Sequence, residues 1–325
     1  MDINKAQKVL REKALKYLKY PNINSVGIGY KYIGNKKTNE ISIQFTVNQK
    51  ARGPVLESLL TKEVPLHFEM DGEQIATDIV QRSFKPSFQL VSTVTKDIRK
   101  TRQNPIKPGI SVGHPNISAG SIGGIVYGKN NATPYILSNW HVLNGGHGNV
   151  GDDILQPGRF DDPNVSQNRL GSLVNSYLGL EGDCAIASIE DRAFDTNNYD
   201  LGITPKQLGT ADLDDLVVKS GRTTATTYGI VSRVDVHAEV NYGGNTGFQI
   251  VRSIEIKPDS NFPAPNNEIS MGGDSGSLWH IRDKQGVPSD IAVGLHFAGE
   301  SSASPDEYAL ACYTESVFNK MNIIL

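Results

Sequence analysis

The chain has 325 residues, of which 38% are hydrophobic, enough for about two domains with a sizeable core. Its 32 Lys and Arg are offset by 35 Asp and Glu, a net charge of -3 that argues against nucleic acid or an anionic membrane as partner. No apolar run approaches the roughly 20 residues of a membrane-spanning helix, and no signal peptide is apparent. With two cysteines, Cys184 and Cys312, we expect a cytoplasmic protein with reduced, buried thiols, although one disulfide stays open.

The first 81 residues predict a small α+β unit. Apolar residues between positions 4 and 19 recur at the spacing of an amphipathic helix, which Pro21 ends. Alternating segments at 26–32 and 41–47 flank a Gly34-Asn35 turn and predict a hairpin. The other elements predicted in residues 1–81 are a short helix at 55–60 and strands at 65–70 and 74–80.

Residues 82–108 show little apolar periodicity and predict a linker, and their charges are also typical of a solvated face. Their basic cluster consists of Lys96, Arg99, Lys100, Arg102 and Lys107. From 109 to 325, short β-branched runs alternate with dense turn signals, which predicts one all-β barrel or sandwich unit. The predicted strands include 122–127, 135–138, 185–189, 217–219 and 250–256, with a terminal helix at 315–324.

The sharpest local signal is the string Gly-Gly-Asp-Ser-Gly-Ser at 272–277, in which glycines surround Ser275. Glycines let the backbone turn tightly and leave N–H groups free to face a developing oxyanion, as acyl transfer requires. Alone, the string is also compatible with a plain turn. It therefore indicates a nucleophile only if a general base and a carboxylate accompany it.

A serine hydroxyl becomes a nucleophile when a His, held in one tautomer by a carboxylate, takes its proton. His141 follows the strand-like run at 135–138, where a strand would hold the imidazole rigidly. Asp183 precedes another apolar run, a setting that would bury it against His141. Each residue also has a purely structural alternative: His141 as a packed or surface histidine, and Asp183 as a turn-forming aspartate.

The order His141, Asp183, Ser275 in these contexts resembles the chymotrypsin/trypsin-like serine peptidase superfamily. The closer likeness is to bacterial trypsin-like peptidases without disulfides, through AGSIG at 119–123, LSN at 137–139, SGRTT at 220–224 and VGLHFAG at 293–299. The resemblance spans about residues 109–310 and excludes the front 81. It implies a mainly β fold, a trypsin-like double β-barrel at 109–325 preceded by the small α+β domain.

The same resemblance implies a serine endopeptidase. Ser275 would be the nucleophile, His141 the general acid and base, Asp183 its orienting partner, and the N–H groups of Gly273 and Ser275 the oxyanion hole. No cofactor or metal is required, and the implied partners are protein or peptide substrates. The alternative from another class is a catalytically silent or partner-gated peptide-binding module on the same fold.

Specificity is implied less directly. His296 stands where glutamyl endopeptidases and the picornavirus-type chymotrypsin-fold proteases carry a His that recognises Glu or Gln, and the alternative is a satisfied core histidine. Where trypsin has an acidic pocket base, this sequence has Ile269, which argues against cleavage after Lys or Arg. The remaining substrate-binding residues implied by the resemblance are Ser270, Phe297, Ala298 and Gly299.

Activation departs from the secreted relatives. No Arg-Ile-Val-Gly-Gly string precedes the barrel, so we predict that Asp274 bonds to internal groups and that the site forms without cleavage. The front unit then has several open roles: a folding or inhibitory pro-segment, a substrate-docking module, or a sensor that binds a regulatory partner through residues 1–81.

Other candidate residues are predicted to be structural. The remaining histidines lack metal-ligand spacing, both cysteines fit small core positions, and two tryptophans are expected to pack beside the site. The residues concerned are His67, His114, His147, His237, His280, Cys184, Cys312, Trp140 and Trp279.

Overall fold

The computed structural model describes residues 3–34, 36–86, 97–117, 119–300 and 307–325. Asn35 of the predicted hairpin turn and Lys96 of the predicted linker lie outside these residues. The chain is mainly β, with 45% strand and 14% helix. The predicted fold class is confirmed: a small α+β unit precedes a trypsin-like double β-barrel.

The front unit combines a helical segment with a four-stranded sheet. Helix α1 (Ile3–Val9) continues through a wide π turn (Leu10–Ala14) and a tight 3-10 turn (Leu15–Lys19), which matches the predicted helix. Its other elements are β1 (Ile23–Ile33), β2 (Lys36–Val47), α2 (Val55–Ser58), β3 (His67–Met70) and β4 (Glu73–Gln81). The predicted hairpin is confirmed by the antiparallel pairing of β1 with β2, and β4 joins β2 in parallel.

Two short strands follow the front unit. Strand β5 (Lys85–Pro86) pairs with a strand of the second barrel, and β6 (Ser111–Val112) pairs with the next strand along the chain. Between them, Ile106 is fully buried and Arg99 pairs with Asp200 at 3.0 Å. The described part of residues 82–108 therefore makes both apolar and ionic contacts with the barrels.

The first barrel is a closed six-stranded sheet around an aliphatic core. Branched residues such as Ile125, Ile136 and Leu173 fill that core, as alternation of inward and outward side chains along a strand requires. Its elements are β7 (Gly120–Ser121), β8 (Gly124–Gly128), β9 (Pro134–Ser138), α3 (Trp140–Leu143), β10 (Asp153–Leu155), α4 (Val165–Asn168), β11 (Arg169–Gly179) and β12 (Gly182–Ser188). The spatial order is β10-β11-β12-β9-β8, closed by the terminal strand β20 (Ile323–Ile324).

The second barrel contains the longest strands of the molecule. Its elements are β13 (Gln207–Leu208), β14 (Leu216–Gly221), β15 (Ala225–Asn241), β16 (Phe248–Pro258), β17 (Leu278–Arg282), β18 (Pro288–Gly299), β19 (Ala309–Tyr313) and α5 (Thr314–Met321). Strands run in the order β14-β17-β18-β19-β16-β15. Helix α5 matches the predicted terminal helix and buries Val317, Phe318 and Met321.

The front unit and the second barrel share one sheet. Strand β1 pairs antiparallel with β15, with Ser25 opposite Ala238 and Gly29 opposite Arg233, so the sheet continues from β14 to β3. Apolar side chains of both units form a single core that includes Phe45 and Ile254. The N-terminal residues are thus built into the same folded body as the second barrel.

Buried charges cross this junction as a paired network. Glu255 accepts from Arg233 at 3.1 Å and from Arg82 at 2.5 Å, and Arg233 and Glu255 are each only 1% exposed. Removing one partner of such a buried pair leaves an uncompensated charge, which costs about 3–5 kcal/mol. The network therefore makes the relative placement of β4, β15 and β16 specific.

Candidate active site

The pairing of β9 with β12 brings His141 and Asp183 together. Strand β9 ends at Ser138, which lies opposite Ala185 of β12, so Asp183 at the start of β12 faces the residues that follow β9. Asn139 donates through Nδ2 to the backbone oxygen of Asp183 at 2.7 Å. His141 itself lies on the short helix α3 and not on a strand, a correction to the expectation that a strand would hold its ring.

The Asp183 carboxylate is fully buried and accepts three hydrogen bonds. The His141 ring nitrogen Nδ1 lies 2.5 Å from Oδ2, and the His141 backbone N–H donates to Oδ1 at 3.2 Å. The Tyr242 hydroxyl donates to Oδ2 at 2.8 Å. Because the carboxylate accepts a hydrogen bond from Nδ1, the proton is assigned to that nitrogen. Nε2 is then the basic nitrogen of the ring.

The loop that carries Ser275 needs its glycines. Gly273 and Gly276 have φ values of +99° and +95°, a region that favours glycine. A Cβ on Gly273 would lie 2.5 Å from Thr223 Oγ1, and one on Gly276 would lie 2.2 Å from Ser138 Oγ. The predicted tight turn is therefore present, with Ser275 between the two strained positions and only 1% exposed.

The Ser275 loop is bonded to the barrel that carries His141. Ser121 donates its backbone N–H to the Ser275 oxygen at 2.7 Å and its hydroxyl to the Gly273 oxygen at 2.9 Å. Ser138, three residues before His141, donates to the Ser121 oxygen at 2.8 Å. The structure thus brings His141, Asp183 and Ser275 to the junction of the two barrels, with the oxyanion candidate Gly273 beside them.

Asp274 bonds to internal groups, as predicted. Its Oδ1 accepts from the backbone N–H groups of Thr223 at 2.8 Å and Thr224 at 3.0 Å, and its Oδ2 accepts from Met271 N–H at 2.9 Å and from the buried Lys219 ammonium at 3.4 Å. Burial opposes ionisation of Asp274, but the Lys219 charge and these donors lower its pKa overall. An internal lysine therefore supplies the positive charge beside Asp274, a residue that the sequence motifs did not single out.

His296 is buried on β18 beside the Ser275 loop. Its ring packs edge-on against Trp279 with centroids 6.4 Å apart, and the ring also interacts with the Leu310 backbone. Burial and the nearby Lys219 charge lower the pKa of His296 to about 3, so the ring is neutral at neutral pH. Both interpretations of His296, a residue that recognises Glu or Gln and a satisfied core histidine, stay predictions.

The segment before the Ser275 loop rests on a carboxyl group that sequence reasoning missed. Glu307 Oε1 accepts from the backbone N–H groups of Ile269 at 2.8 Å and Ser270 at 3.2 Å. Glu307 Oε2 and Ser270 Oγ are buried with no partner among the described residues. Burial and the charge of Glu268 raise the pKa of Glu307 to about 8. No motif marks Glu307, because only the folded backbone brings it to Ile269.

The other expected substrate-binding residues end strand β18. Phe297 is fully buried in the core. Ala298 and Gly299 pair with Leu310 and Ala309 of β19 on one edge. On the opposite edge, they pair with β5 of the same chain.

The remaining candidate residues are those that the sequence predicts to be structural. Within the described ranges, no group of three or more His, Cys, Asp or Glu residues could hold a metal ion. Cys184 and Cys312 are buried free thiols, and burial raises both of their pKa values. Trp140 packs edge-on against Tyr242. No helix in the described part of the chain has the length and apolarity to cross a membrane.

No model of a known protein family matches the chain, and no curated protein matches its sequence. Several solved structures are similar to about two thirds of the chain. A glutamic-acid-specific serine protease that uses a histidine triad in substrate binding is 17% identical over 67% of this chain and 98% of its own, with a TM-score of 0.48. Thermobifida fusca protease A is 18% identical over 67% and 97%, with a TM-score of 0.47, and a Cellulomonas bogoriensis chymotrypsin is 15% identical over 68% and 98%, with a TM-score of 0.45.

The order of strands in the two barrels decides the fold. Strands β8 to β12 and β20 form the sheet of the barrel with His141 and Asp183, and strands β13 to β19 form the barrel with Ser275. With the Ser275 loop at the junction of these barrels, the chain has the trypsin-like double β-barrel fold that its sequence predicted.

Proposed function

We propose that the protein is a serine endopeptidase that uses Ser275, His141 and Asp183. The observation that carries this proposal is the buried bond of 2.5 Å between His141 Nδ1 and Asp183 Oδ2, across from a glycine-flanked serine loop. A fully buried carboxylate aligned on an imidazole is expected where that imidazole must act as a base and hold a positive charge briefly.

The chemistry follows from these positions. Ser275 Oγ forms a bond to the peptide carbonyl carbon while its proton passes to His141 Nε2, and the N–H groups of Gly273 and Ser275 face the oxyanion. His141 then returns the proton to the leaving amine as the C–N bond breaks. Water attacks the acyl-enzyme by the same route, and its proton passes through His141 back to Ser275.

The pocket chemistry favours a polar side chain before the scissile bond. A neutral His296 donates one hydrogen bond but does not offset a substrate charge, so Gln fits better than Glu at neutral pH. The unpartnered Ser270 hydroxyl is a second polar group of this region. Ile269 is fully buried and offers no charge to Lys or Arg.

The setting of this activity is part of the proposal. We propose that the protein is bacterial and cytoplasmic, where its two thiols stay reduced. The internal Lys219–Asp274 pair supports a site that forms without cleavage of the chain. The rival function is a silent or partner-gated peptide-binding module, which shares the fold but does not react at Ser275.

Intact-mass measurement with a fluorophosphonate probe separates the two functions. Wild type is expected to gain one adduct and Ser275→Ala none, and Ser277→Ala is the matched control because it removes a neighbouring hydroxyl and leaves Ser275 in place. Cleavage of a mixed peptide library is expected after Gln more often than after Glu. An unlabelled wild type with an intact fold would favour the binding module instead.

A further inference from the structure

Strand β17 leaves part of one edge of β18 uncovered beside the Ser275 loop. Strand β17 covers that edge only as far as Leu295, which lies opposite Leu278. His296 is then covered by the loop itself, because Gly276 N–H donates to the His296 oxygen at 2.9 Å and His296 N–H donates to the Ser277 oxygen at 2.9 Å. An extended peptide that added to the edge of the next residues, up to Gly299, would lie beside the Ser275 loop.

This edge is occupied by the chain itself. Strand β5 pairs antiparallel with it, with Lys85 opposite Gly299 and Pro86 opposite Ala298. Because the pairing is antiparallel, the chain runs from Lys85 to Pro86 in the direction of His296, and so toward the Ser275 loop. A peptide added to the same edge in this direction would present its following residues to Ser275.

The occupying segment is anchored on both sides of the junction. The Arg82 backbone N–H donates to the Val47 oxygen of the front unit at 3.0 Å, and the Arg82 guanidinium stacks on the Tyr308 ring with its carbon 3.7 Å from the centroid. Phe84 is 7% exposed and packs edge-on against Tyr308, with centroids 6.3 Å apart. Burial of the Phe84 ring therefore holds the segment against Tyr308.

We propose that residues 84–86 are an intramolecular pseudosubstrate that occupies the peptide-binding edge of β18. The full chain then resists extended peptides until this segment is displaced, and a peptide that displaces it carries a large apolar side chain at the position of Phe84. The inference rests on the proposed function of Ser275. It assigns an inhibitory role to the segment that follows the front unit.

Two covalent probes of different length test this proposal on the full chain. A small fluorophosphonate needs only Ser275 and His141, whereas a tetrapeptidyl aryl phosphonate with an amino-terminal Phe must also pair with the edge of β18. The measured quantities are the second-order rate constants of labelling, read by intact mass. Their ratio isolates access to the edge from the reactivity of the serine.

Two variants disturb the segment in different ways. Phe84→Ala removes the contact with Tyr308, and Lys85→Pro removes an N–H from an exposed strand position without changing the core. Both are expected to raise the rate constant of the peptidyl probe about 10-fold, because β5 leaves the edge of β18 uncovered in a larger fraction of molecules. The rate constant of the small probe should stay within about 2-fold of wild type.

The matched control is Phe68→Ala, which removes the same side chain with the same 7% exposure from the front unit, where it packs on Tyr17 and Phe45. It is expected to leave the ratio unchanged. An unchanged ratio in folded Phe84→Ala and Lys85→Pro, or an equal rise in Phe68→Ala, would overturn the pseudosubstrate. Failure of every variant to react with the small probe would instead refute the proposed function, and this inference with it.

Discussion

Tyr242 is the closest new neighbour of the candidate catalytic residues. Its hydroxyl donates to the same Asp183 oxygen that faces His141, and its ring packs against His141 with centroids 6.1 Å apart. Burial and the Asp183 charge raise the pKa of Tyr242 well above 10, so the hydroxyl remains a donor. Tyr242 is therefore placed to orient Asp183 through its hydroxyl group.

Replacement of Tyr242 by Phe removes one donor from a buried carboxylate. We expect kcat to fall about 10-fold with KM nearly unchanged, because a hydrogen bond to a charged group contributes about 1.5–3 kcal/mol. The acidic limb of the pH profile of kcat/KM should move to higher pH, since the less stabilised carboxylate holds the imidazolium proton more tightly. Peptide hydrolysis measured from pH 5 to 9 checks both effects.

Tyr177→Phe is the control for this prediction. The Tyr177 hydroxyl donates to Glu181 near the surface, so its loss should leave kcat and the pH profile unchanged. A purely structural role for Tyr242 would lower the melting temperature without moving the acidic limb. That result would refute the positioning role.

Glu307 predicts a pH dependence of stability. Its folded pKa of about 8 lies above the ordinary 4.5, so its protonated form favours the fold, and the stabilisation is complete below pH 4.5 and lost as pH rises toward 8. Glu307→Gln keeps the acceptor for Ile269 and Ser270 without the charge. Relative to this variant, wild type should lose on the order of a few kcal/mol between pH 5 and 9 in urea unfolding.

Glu63→Gln serves as the comparison, because Glu63 is exposed on the front unit. Its unfolding free energy should follow wild type at every pH. If Glu307→Gln and wild type have parallel pH profiles, the carboxyl of Glu307 is ionised in the fold and its assigned pKa is wrong.

The sequence could locate His141, Asp183 and Ser275 because each lies in a local string whose glycines, strand ends and polar neighbours serve its own geometry. Lys219, Tyr242 and Glu307 lack such strings. Their roles arise from contacts across 55 residues to Asp274, 59 to Asp183 and 38 to Ile269. Pattern along the chain does not encode these distances, which the barrel closure sets.

At the scale of elements, β15 joins three parts of the molecule. Its first half pairs with β14 inside the second barrel, its second half pairs with β1 of the front unit, and Tyr242 follows its last residue. Strand β15 thus connects the residues paired with β1 directly to Tyr242, whose hydroxyl donates to the Asp183 carboxylate.

Gly27 controls the approach of β1 to β15. An added Cβ would lie 2.9 Å from Val236 Cγ2, 3.0 Å from Val236 Cα and 3.1 Å from Arg233 Nη2. Because backbone must shift, we expect Gly27→Ala to lower the unfolding free energy by about 1–3 kcal/mol, measured by urea unfolding.

Gly124→Ala on β8 is the matched strand substitution, since its Cβ would meet Leu278 Cδ1 at 3.4 Å and Val126 Cγ1 at 3.8 Å, both ordinary van der Waals distances. It should leave stability unchanged or raise it by up to about 1 kcal/mol through the unfolded chain. If the two alanine variants have equal unfolding free energies, β1 and β15 are less closely packed than the distances from Gly27 to Val236 indicate.

At the scale of the whole molecule, periodicity predicted the front hairpin, the β texture of the barrels and the terminal helix. It did not predict that β1 would extend the sheet of the second barrel, because the side-chain pattern of a strand specifies its faces and not its neighbour. Periodicity also did not predict strand β5, for a related reason. Two residues, one of them proline, carry no alternation to recognise.

The short path from β4 to β5 has a consequence for how the molecule responds to its surroundings. Only Arg82, Ser83 and Phe84 separate Gln81 from Lys85, so β5 meets β18 as a tethered partner. Short tethers give effective concentrations in the millimolar range that do not depend on the amount of protein. Dilution therefore leaves this contact intact, and a competing peptide must match that local concentration before it gains the edge of β18.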